Sequence, residues 1–137
     1  ADLPVVPVST LAALAQGANS DTRTIISAID ARMDEIYWGL FSFGVDNIVS
    51  SISQEMLAKP EEFGINLNTP CFGIGTGWGK FGAILSANVG ANLKGYNPDH
   101  LPRASDVLTL AAKEFEAGNY VQAAEALPVY LRNKVTG

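Results

Sequence analysis

The chain has 137 residues, of which 47% are hydrophobic and 17% are charged, and this composition is typical of a folded globular domain. Its net charge is −5 and its nine basic residues are scattered, which argues against a nucleic-acid surface because phosphate backbones are bound by clustered Lys and Arg. Cys71 is the single cysteine, so an intramolecular disulfide is excluded, and no apolar run predicts a membrane span. We expect a cytoplasmic protein with no membrane partner.

The first segment predicts a short strand followed by a short helix. Residues 5–8 form an apolar run interrupted by a proline, which lacks a backbone N–H and therefore favours a strand end or a sheet edge. Ser9 or Thr10 can cap a helix that runs to about Gln16, and Gly17 is a suitable stop.

An antiparallel meander of three strands is predicted next. In residues 25–30 the side chains alternate in character with a period of two, which indicates a strand. Residues 35–43 carry apolar side chains on both faces, so we expect an inner strand that is covered on both sides. Turns at 30–34 and 44–47 would join these strands to each other and to a third one beginning at Ile48.

The elements after the meander are shorter. Residues 59–64 predict a short helix, and 71–74 predict a buried strand. A helix over about 78–86 follows, although three glycines weaken its propensity, and we expect 90–103 to be irregular.

The clearest predicted helix begins at Ser105, which we take as its cap, and ends at Gly118. A last short helix is predicted over about 120–126. The side chains expected on the buried stripe of the Ser105 helix are Val107, Leu108, Ala111 and Phe115. Together these elements predict an α/β fold, a mixed sheet with an antiparallel meander and flanking helices.

A glycine-rich turn, GIGTGWG at residues 73–79, allows two interpretations. After a strand, its backbone N–H groups could approach the phosphate or base of a nucleotide, although it matches neither a Walker loop nor GxGxxG. The alternative is a tight strand-to-helix corner with the tryptophan buried, which we favour. The candidate nucleotide-binding residues are Gly73, Gly75, Thr76, Gly77 and Trp78.

The first hairpin turn gathers Asp30, Asp34 and Glu35 beside Arg32. Paired carboxylates can act as general acid and base or can hold a metal ion. We favour a solvated turn, in which Arg32 could pair with Asp30 or Glu35.

His100 is predicted to be a surface histidine and Cys71 a small core residue. No nucleophile–base pair stands out in the sequence. We therefore predict no catalytic residue, no metal site and a non-enzymatic protein.

Four stretches resemble one family when they are taken together and in order. The resemblance is carried by PVVPVSTLAALAQGA at 4–18, AIDARMDEIYWGLF at 28–41, GIGTGW at 73–78 and ALPVYLRNKV at 126–135. They resemble the TsaB/YeaZ family, which is needed for threonylcarbamoyl-adenosine modification of tRNA. Residues that match the family signature, with an expected structural role, are Asp30, Arg32, Glu35, Tyr37, Pro128, Tyr130 and Arg132.

The resemblance implies an actin-like ATPase fold, related to ribonuclease H and built from two duplicated lobes. The Asp-Thr strand and the GPGSFTG-type loop of the N-terminal lobe do not occur in this sequence, and the chain begins at Ala1 without an initiator Met. We therefore expect a fragment, in which residues 1–20 lead out of the N-terminal lobe and 21–137 form the C-terminal lobe.

The resemblance also implies a non-catalytic scaffold subunit. Its expected partners are a TsaD-like transferase and a TsaE-like ATPase, with tRNA reached only through the complex and a homodimer formed by the full-length protein. ATP and metal would belong to the partner subunits, so no cofactor is expected here. The alternatives are a degenerate nucleotide-binding domain and a peptidase that acts on the TsaD-like partner.

Overall fold

The computed structural model describes residues 4–5, 7–119 and 121–122. Its strands are β1 Pro4–Val5, β2 Thr24–Asp30, β3 Ile36–Phe43, β4 Val49–Ser51, β5 Met56–Ala58, β6 Cys71–Ile74, β7 Leu93–Asn97 and β8 Val121–Gln122. Its helices are α1 Thr10–Gln16, α2 Thr76–Val89 and α3 Ala104–Glu116, with a 3-10 turn at Pro60–Glu62 and a left-handed turn at Arg32–Asp34. Within this described part, no helix is both long enough and apolar enough to cross a membrane.

Six strands form one mixed sheet in the order β4-β3-β2-β6-β7, and β5 pairs with β3 beside β4. The β2, β3 and β4 pairings are antiparallel, whereas β2, β6 and β7 run parallel. β1 and β8 make a separate antiparallel pair. The predicted meander and the mixed sheet are therefore confirmed.

The β2–β3 hairpin is buried on both faces, as the apolar side chains on both faces of residues 35–43 predict. One face carries Ile25 and Phe41 into a cluster with the inward side chains of α1 and α3. The other face carries Ile26 and Leu40 into a second cluster with Trp78 of α2. Since both faces are covered, a shift of one residue in this pairing would expose one complete apolar set.

Two strands of the six-stranded sheet, β5 and β7, were not predicted. β5 follows the third meander strand and pairs with Ile36–Trp38 of β3. β7 lies within the segment expected to be irregular, so that expectation is wrong for Leu93–Asn97. Its sequence, LKGYN, lacks apolar alternation and contains Gly95 at φ +155°, and its pairing with β6 is interrupted by a register shift.

Helix α1 begins and ends where the sequence predicts, with the Ser9 hydroxyl accepting the Ala12 N–H at 2.9 Å. Gly17 ends it at φ −84°, so left-handed backbone is not the reason for glycine at this position. A Cβ there would collide with His100 Nε2 and lie 2.8 Å from Asp106 Oδ2. The prediction of a surface histidine is wrong, because Nε2 of this half-buried residue is enclosed against the end of α1.

Helix α3 buries a different face from the one predicted. Arg103 occupies the cap position and Ser105 lies inside the helix. Asp106 and Leu110 are buried one helical turn apart. The Asp106 carboxylate accepts a hydrogen bond from Arg103 Nε–H at 3.0 Å. Leu108 is 69% exposed and Phe115 is also exposed, so the predicted buried stripe is wrong at these two positions. The helix packs on α1 through an edge that includes a charged residue, which a hydrophobic pattern cannot reveal.

The predicted helix over 120–126 is contradicted at 121–122, which form β8. A strand of two residues is too short to show the alternation by which strands are recognised in a sequence. The rest of that prediction lies outside the described residues, as do the signature positions Pro128, Tyr130 and Arg132.

The orientation of α3 predicts different costs for two neighbouring leucines. Leu110→Ala, at a position 7% exposed, should lower the free energy of unfolding by about 2–3 kcal/mol, since it removes buried methyl groups and leaves a cavity. The matched Leu108→Ala should cost about 0.5 kcal/mol or less. Urea denaturation of both variants tests this assignment, and equal losses would contradict it.

Candidate functional site

The two sequence motifs of interest meet at the carboxyl end of β2. The Asp30 backbone N–H donates to Thr76 Oγ1 at 3.0 Å, which joins the end of β2 to the first residue of α2. Because β2 and β6 are parallel neighbours, the hairpin turn after β2 and the glycine turn after β6 lie at the same edge of the sheet. This edge is where open α/β sheets commonly bind ligands.

Close packing against β2 explains two of the glycines in this turn. Gly75 has φ +113°, and a Cβ at this residue would collide with the Ala28 carbonyl oxygen. A Cβ on Gly77 would lie 3.0 Å from Ala28 carbon atoms. The Gly75 N–H donates to the Asn97 carbonyl at the end of β7, at 3.0 Å. The turn is thereby held between its two neighbouring strands, β2 and β7.

Trp78 is fully buried on the second face of the sheet. Its Nε1–H donates to the Ile26 carbonyl at 3.0 Å, and its ring stacks on Tyr96 with centroids 5.3 Å apart. A Cβ on Gly73 would collide with the same indole ring. These contacts match the corner-and-buried-tryptophan interpretation of GIGTGW, while nucleotide binding by Gly73, Gly75, Thr76, Gly77 and Trp78 stays a prediction.

The tip of the β2–β3 hairpin has an unusual backbone. Met33 lies at φ 60°, ψ 37°, and Asp34 at φ 58°. The Glu35 N–H donates to the Arg32 carbonyl at 3.3 Å, and the Ala31 N–H to the Glu35 carbonyl at 2.8 Å. Two consecutive residues with φ near +60° and this hydrogen bond describe a type I′ turn.

Lys80, which no sequence motif identified, forms ion pairs between α2 and this tip. Its Nζ lies 3.1 Å from Asp34 Oδ1 and 3.7 Å from Asp30 Oδ1. The hydrogen bond to Asp34, and then the charge of Asp30, raise the pKa of Lys80. The alternative pairing of Arg32 with Asp30 or Glu35 is not found among the described residues, and Lys80 of α2 is the cation beside Asp30 and Asp34. The spacing of Thr76 and Lys80, four residues apart on one helix face, is the signal that could have identified it.

The ammonium group limits what this carboxylate pair can do chemically. With Lys80 between them, Asp30 and Asp34 have a cation already in place, and both carboxylates remain partly exposed. Within the described ranges, no group of three or more His, Cys, Asp or Glu side chains is arranged to hold a metal ion. The arrangement fixes the position of the tip relative to α2.

Two other residues selected from the sequence lie away from this edge. The Tyr37 hydroxyl donates to Glu55 Oε1 at 3.2 Å, and partial burial together with the Glu55 carboxylate raises the pKa of Tyr37. Cys71 is buried with its Sγ 3.6 Å from the Asn92 carbonyl oxygen, and burial raises the pKa of the thiol. A raised pKa disfavours the reactive thiolate, so the core assignment of Cys71 is consistent with its environment.

A shallow groove of about 260 Å³ lies on the face of the sheet that packs against α1 and α3, the face opposite to Trp78. It is lined by residues of α1, β3, β4 and α3. Its floor includes Phe41 and Leu110, and its rim includes Glu55 and Glu114. None of the residues predicted to bind a nucleotide lines it. The groove and the β2 edge are therefore separate features of the molecule.

Comparison with known proteins gives a consistent result. The tRNA threonylcarbamoyladenosine biosynthesis protein TsaB of Haemophilus influenzae is 35% identical over 147 aligned positions, covering 99% of this chain and 60% of that protein. Its Escherichia coli counterpart is 38% identical over 141 positions, covering 98% of this chain and 60% of that protein. The chain thus spans about 60% of the length of these relatives. No protein-family model matches it.

Solved structures show the same similarity. YeaZ from Pseudomonas aeruginosa superposes with a TM-score of 0.77 at 33% identity, over 90% of this chain and 58% of that one. A second solved chain, described as an uncharacterized protein with similarity to peptidase YeaZ from Pseudomonas aeruginosa, has the same TM-score and identity over 56% of its length. The predicted actin-like ATPase fold is confirmed.

A pair of glycine variants separates backbone conformation from close packing at the β2 edge. Gly75 and Gly90 both lie in a backbone region that is nearly exclusive to glycine, but a Cβ on Gly90 would meet no atom within 4 Å. Gly90→Ala should therefore cost about 1–3 kcal/mol. Gly75→Ala should cost clearly more or prevent folding, and thermal unfolding monitored by circular dichroism would measure both. Equal losses would show that the approach to Ala28 is unimportant.

Proposed function

Since the chain belongs to the TsaB/YeaZ family, we propose that it acts in the synthesis of threonylcarbamoyladenosine in tRNA. The observation that carries this proposal is homology to two TsaB proteins along 98–99% of the chain. The aligned region covers nearly the whole chain, including the two motifs that meet at the β2 edge.

Within that pathway we assign the chain a scaffold role without chemistry of its own. The groups that could catalyse a reaction have structural contacts: Asp30 and Asp34 pair with Lys80, and Cys71 is buried with a raised pKa. His100, the single histidine, has a buried Nε2 with no hydrogen-bond partner within the described part of the chain. It is therefore not coupled to a serine nucleophile there, and this does not favour the peptidase alternative.

The partners that fit this role are a TsaD-like transferase and a TsaE-like ATPase. A net charge of −5 suits contact with proteins better than direct contact with tRNA. tRNA, ATP and metal would accordingly be bound by the partner subunits. The scaffold would act by stabilising the transferase in a productive conformation.

The nucleotide-binding alternative gains no specific support from the glycine turn. The space beside Gly73, Gly75 and Gly77 is filled by Trp78 and Ala28, so these glycines accommodate protein atoms. A titration with ATP and magnesium, followed by tryptophan fluorescence, tests this alternative directly. Saturable binding at micromolar ATP would favour it over the scaffold role.

Reconstitution tests the proposed function. Purified transferase and ATPase are incubated with unmodified tRNA, threonine, bicarbonate and ATP, together with the enzyme that makes the threonylcarbamoyl donor, with and without the chain. We expect the chain to raise the yield of modified adenosine, measured by mass spectrometry of the digested nucleosides. The folded Leu108→Ala variant serves as a matched positive control, and a mock purification as the blank. An unchanged yield with a correctly folded chain would contradict the proposal.

A further inference from the structure

Met33 is an unfavourable residue for its position in the turn at the tip of the β2–β3 hairpin. Type I′ turns require φ > 0 at both central positions, which Asn, Asp and Gly adopt most readily. Asp34 conforms to this preference, whereas Met33 lacks a short polar side chain that could stabilise the left-handed backbone. An unbranched apolar residue at this position raises the energy of the turn.

The folded chain gains no packing from this side chain in return. Met33 is 90% exposed, and it belongs to neither of the two core clusters. Two backbone hydrogen bonds nevertheless close the turn and fix its backbone, beside the exposed ion pair of Asp34 with Lys80. A residue that costs stability, lies outside both core clusters and is held in one backbone conformation is best explained by a contact outside the chain.

We infer that Met33 is a docking residue that inserts into an apolar pocket on a partner protein, with Lys80 as its positioning residue. A methionine side chain is flexible and polarizable, which suits it to insertion into such a pocket. Arg32 is exposed beside it and forms no ion pair among the described residues, so a pocket with an acceptor at its rim would complete the contact.

The surroundings of the tip favour a protein over other partners. Lys80 and the charged residues of the tip (Asp30, Arg32, Asp34 and Glu35) sum to one negative charge, which disfavours a phosphate group, a nucleic acid or an anionic membrane. One methionine is also too little apolar surface to hold a chain on a lipid bilayer. An apolar side chain carried on a fixed backbone turn, with charged neighbours, suits an anchor in a protein interface.

This inference rests on the proposed function for the identity of the partner, which would be a subunit of the tRNA-modifying machinery. Transferase and ATPase are therefore added separately and then together. Complex formation is measured first by size-exclusion chromatography with light scattering, so that binding is known before the tip is probed.

Methionine oxidation then reports on the tip itself, because Met33 and Met56 are the only two methionines of the chain. Met56 is 43% exposed on β5 and serves as an internal control. Dilute hydrogen peroxide is added with and without partner, and sulfoxide at each site is followed by peptide mass spectrometry. We expect oxidation of Met33 to slow about five-fold or more in the complex, while Met56 keeps its rate.

Variants give an independent measurement. Met33→Asn should raise the thermal midpoint by about 2–4 °C, because it suits the turn, and should weaken partner binding about ten-fold through loss of the buried side chain. Met33→Leu should retain most of the affinity. Val45→Asn, at a fully exposed position on the other hairpin of β3, is the matched control and should leave the affinity unchanged.

The outcomes separate the two proposals. A complex in which Met33 oxidises at its free rate, or in which Met33→Asn binds as tightly as the parent chain, would overturn the docking role and leave the scaffold function standing. Failure to form a complex with either subunit would overturn the scaffold function and the docking role together. Protection of Met33 alone would support both.

Discussion

The close approach between the glycine turn and β2 is the contact on which the rest of the architecture depends. Gly75 brings the backbone of the turn against Ala28, at a distance that a Cβ on Gly75 would prevent, and a Cβ on Gly77 would make a tight contact with the same residue. This contact sets where α2 begins and therefore where its side chains lie. Trp78 can then reach the Ile26 carbonyl and close the second face of the sheet.

The same placement of α2 determines the chemistry at the β2 edge. Lys80 lies one helical turn after Thr76, and both side chains contact the β2–β3 hairpin from the same helix face. A pair of carboxylates that could in another setting bind a metal ion or transfer a proton here has an internal cation. The resulting surface is a closed turn with one apolar side chain, Met33, presented to solvent.

The opposite face of the sheet is organised by a second close contact, at the end of α1. Gly17 leaves room for His100 and Asp106, so α3 and the loop before it can pack against the helix end. Asp106 is buried there with Arg103 as its partner, and Leu110 continues the contact one turn later. The stability of this layer therefore rests on a charged residue as well as on apolar burial.

Much of the fold could be predicted from the sequence because the strongest signals are local. The alternation of side chains in β2, the apolar side chains on both faces of β3, the Ser9 cap of α1 and the apolar run of β6 are all signals from residues close together in the chain. β5 and β7 escaped prediction because they lie at or beside the edges of the sheet, where pairing with a neighbour compensates for a weak intrinsic pattern.

Tertiary structure decided the rest. Three features depend on atoms that are distant in sequence. They are the reason for each glycine (a positive φ or a close neighbour), the face of α3 that is buried, and the cation that pairs with Asp30. The alternation in β2 already determined that Ile25 and Ile26 would face opposite sides. That Lys80 rather than Arg32 would neutralise the neighbouring carboxylates was determined only when α2 docked on β2, because an ion pair depends on distance in space and not on separation along the chain.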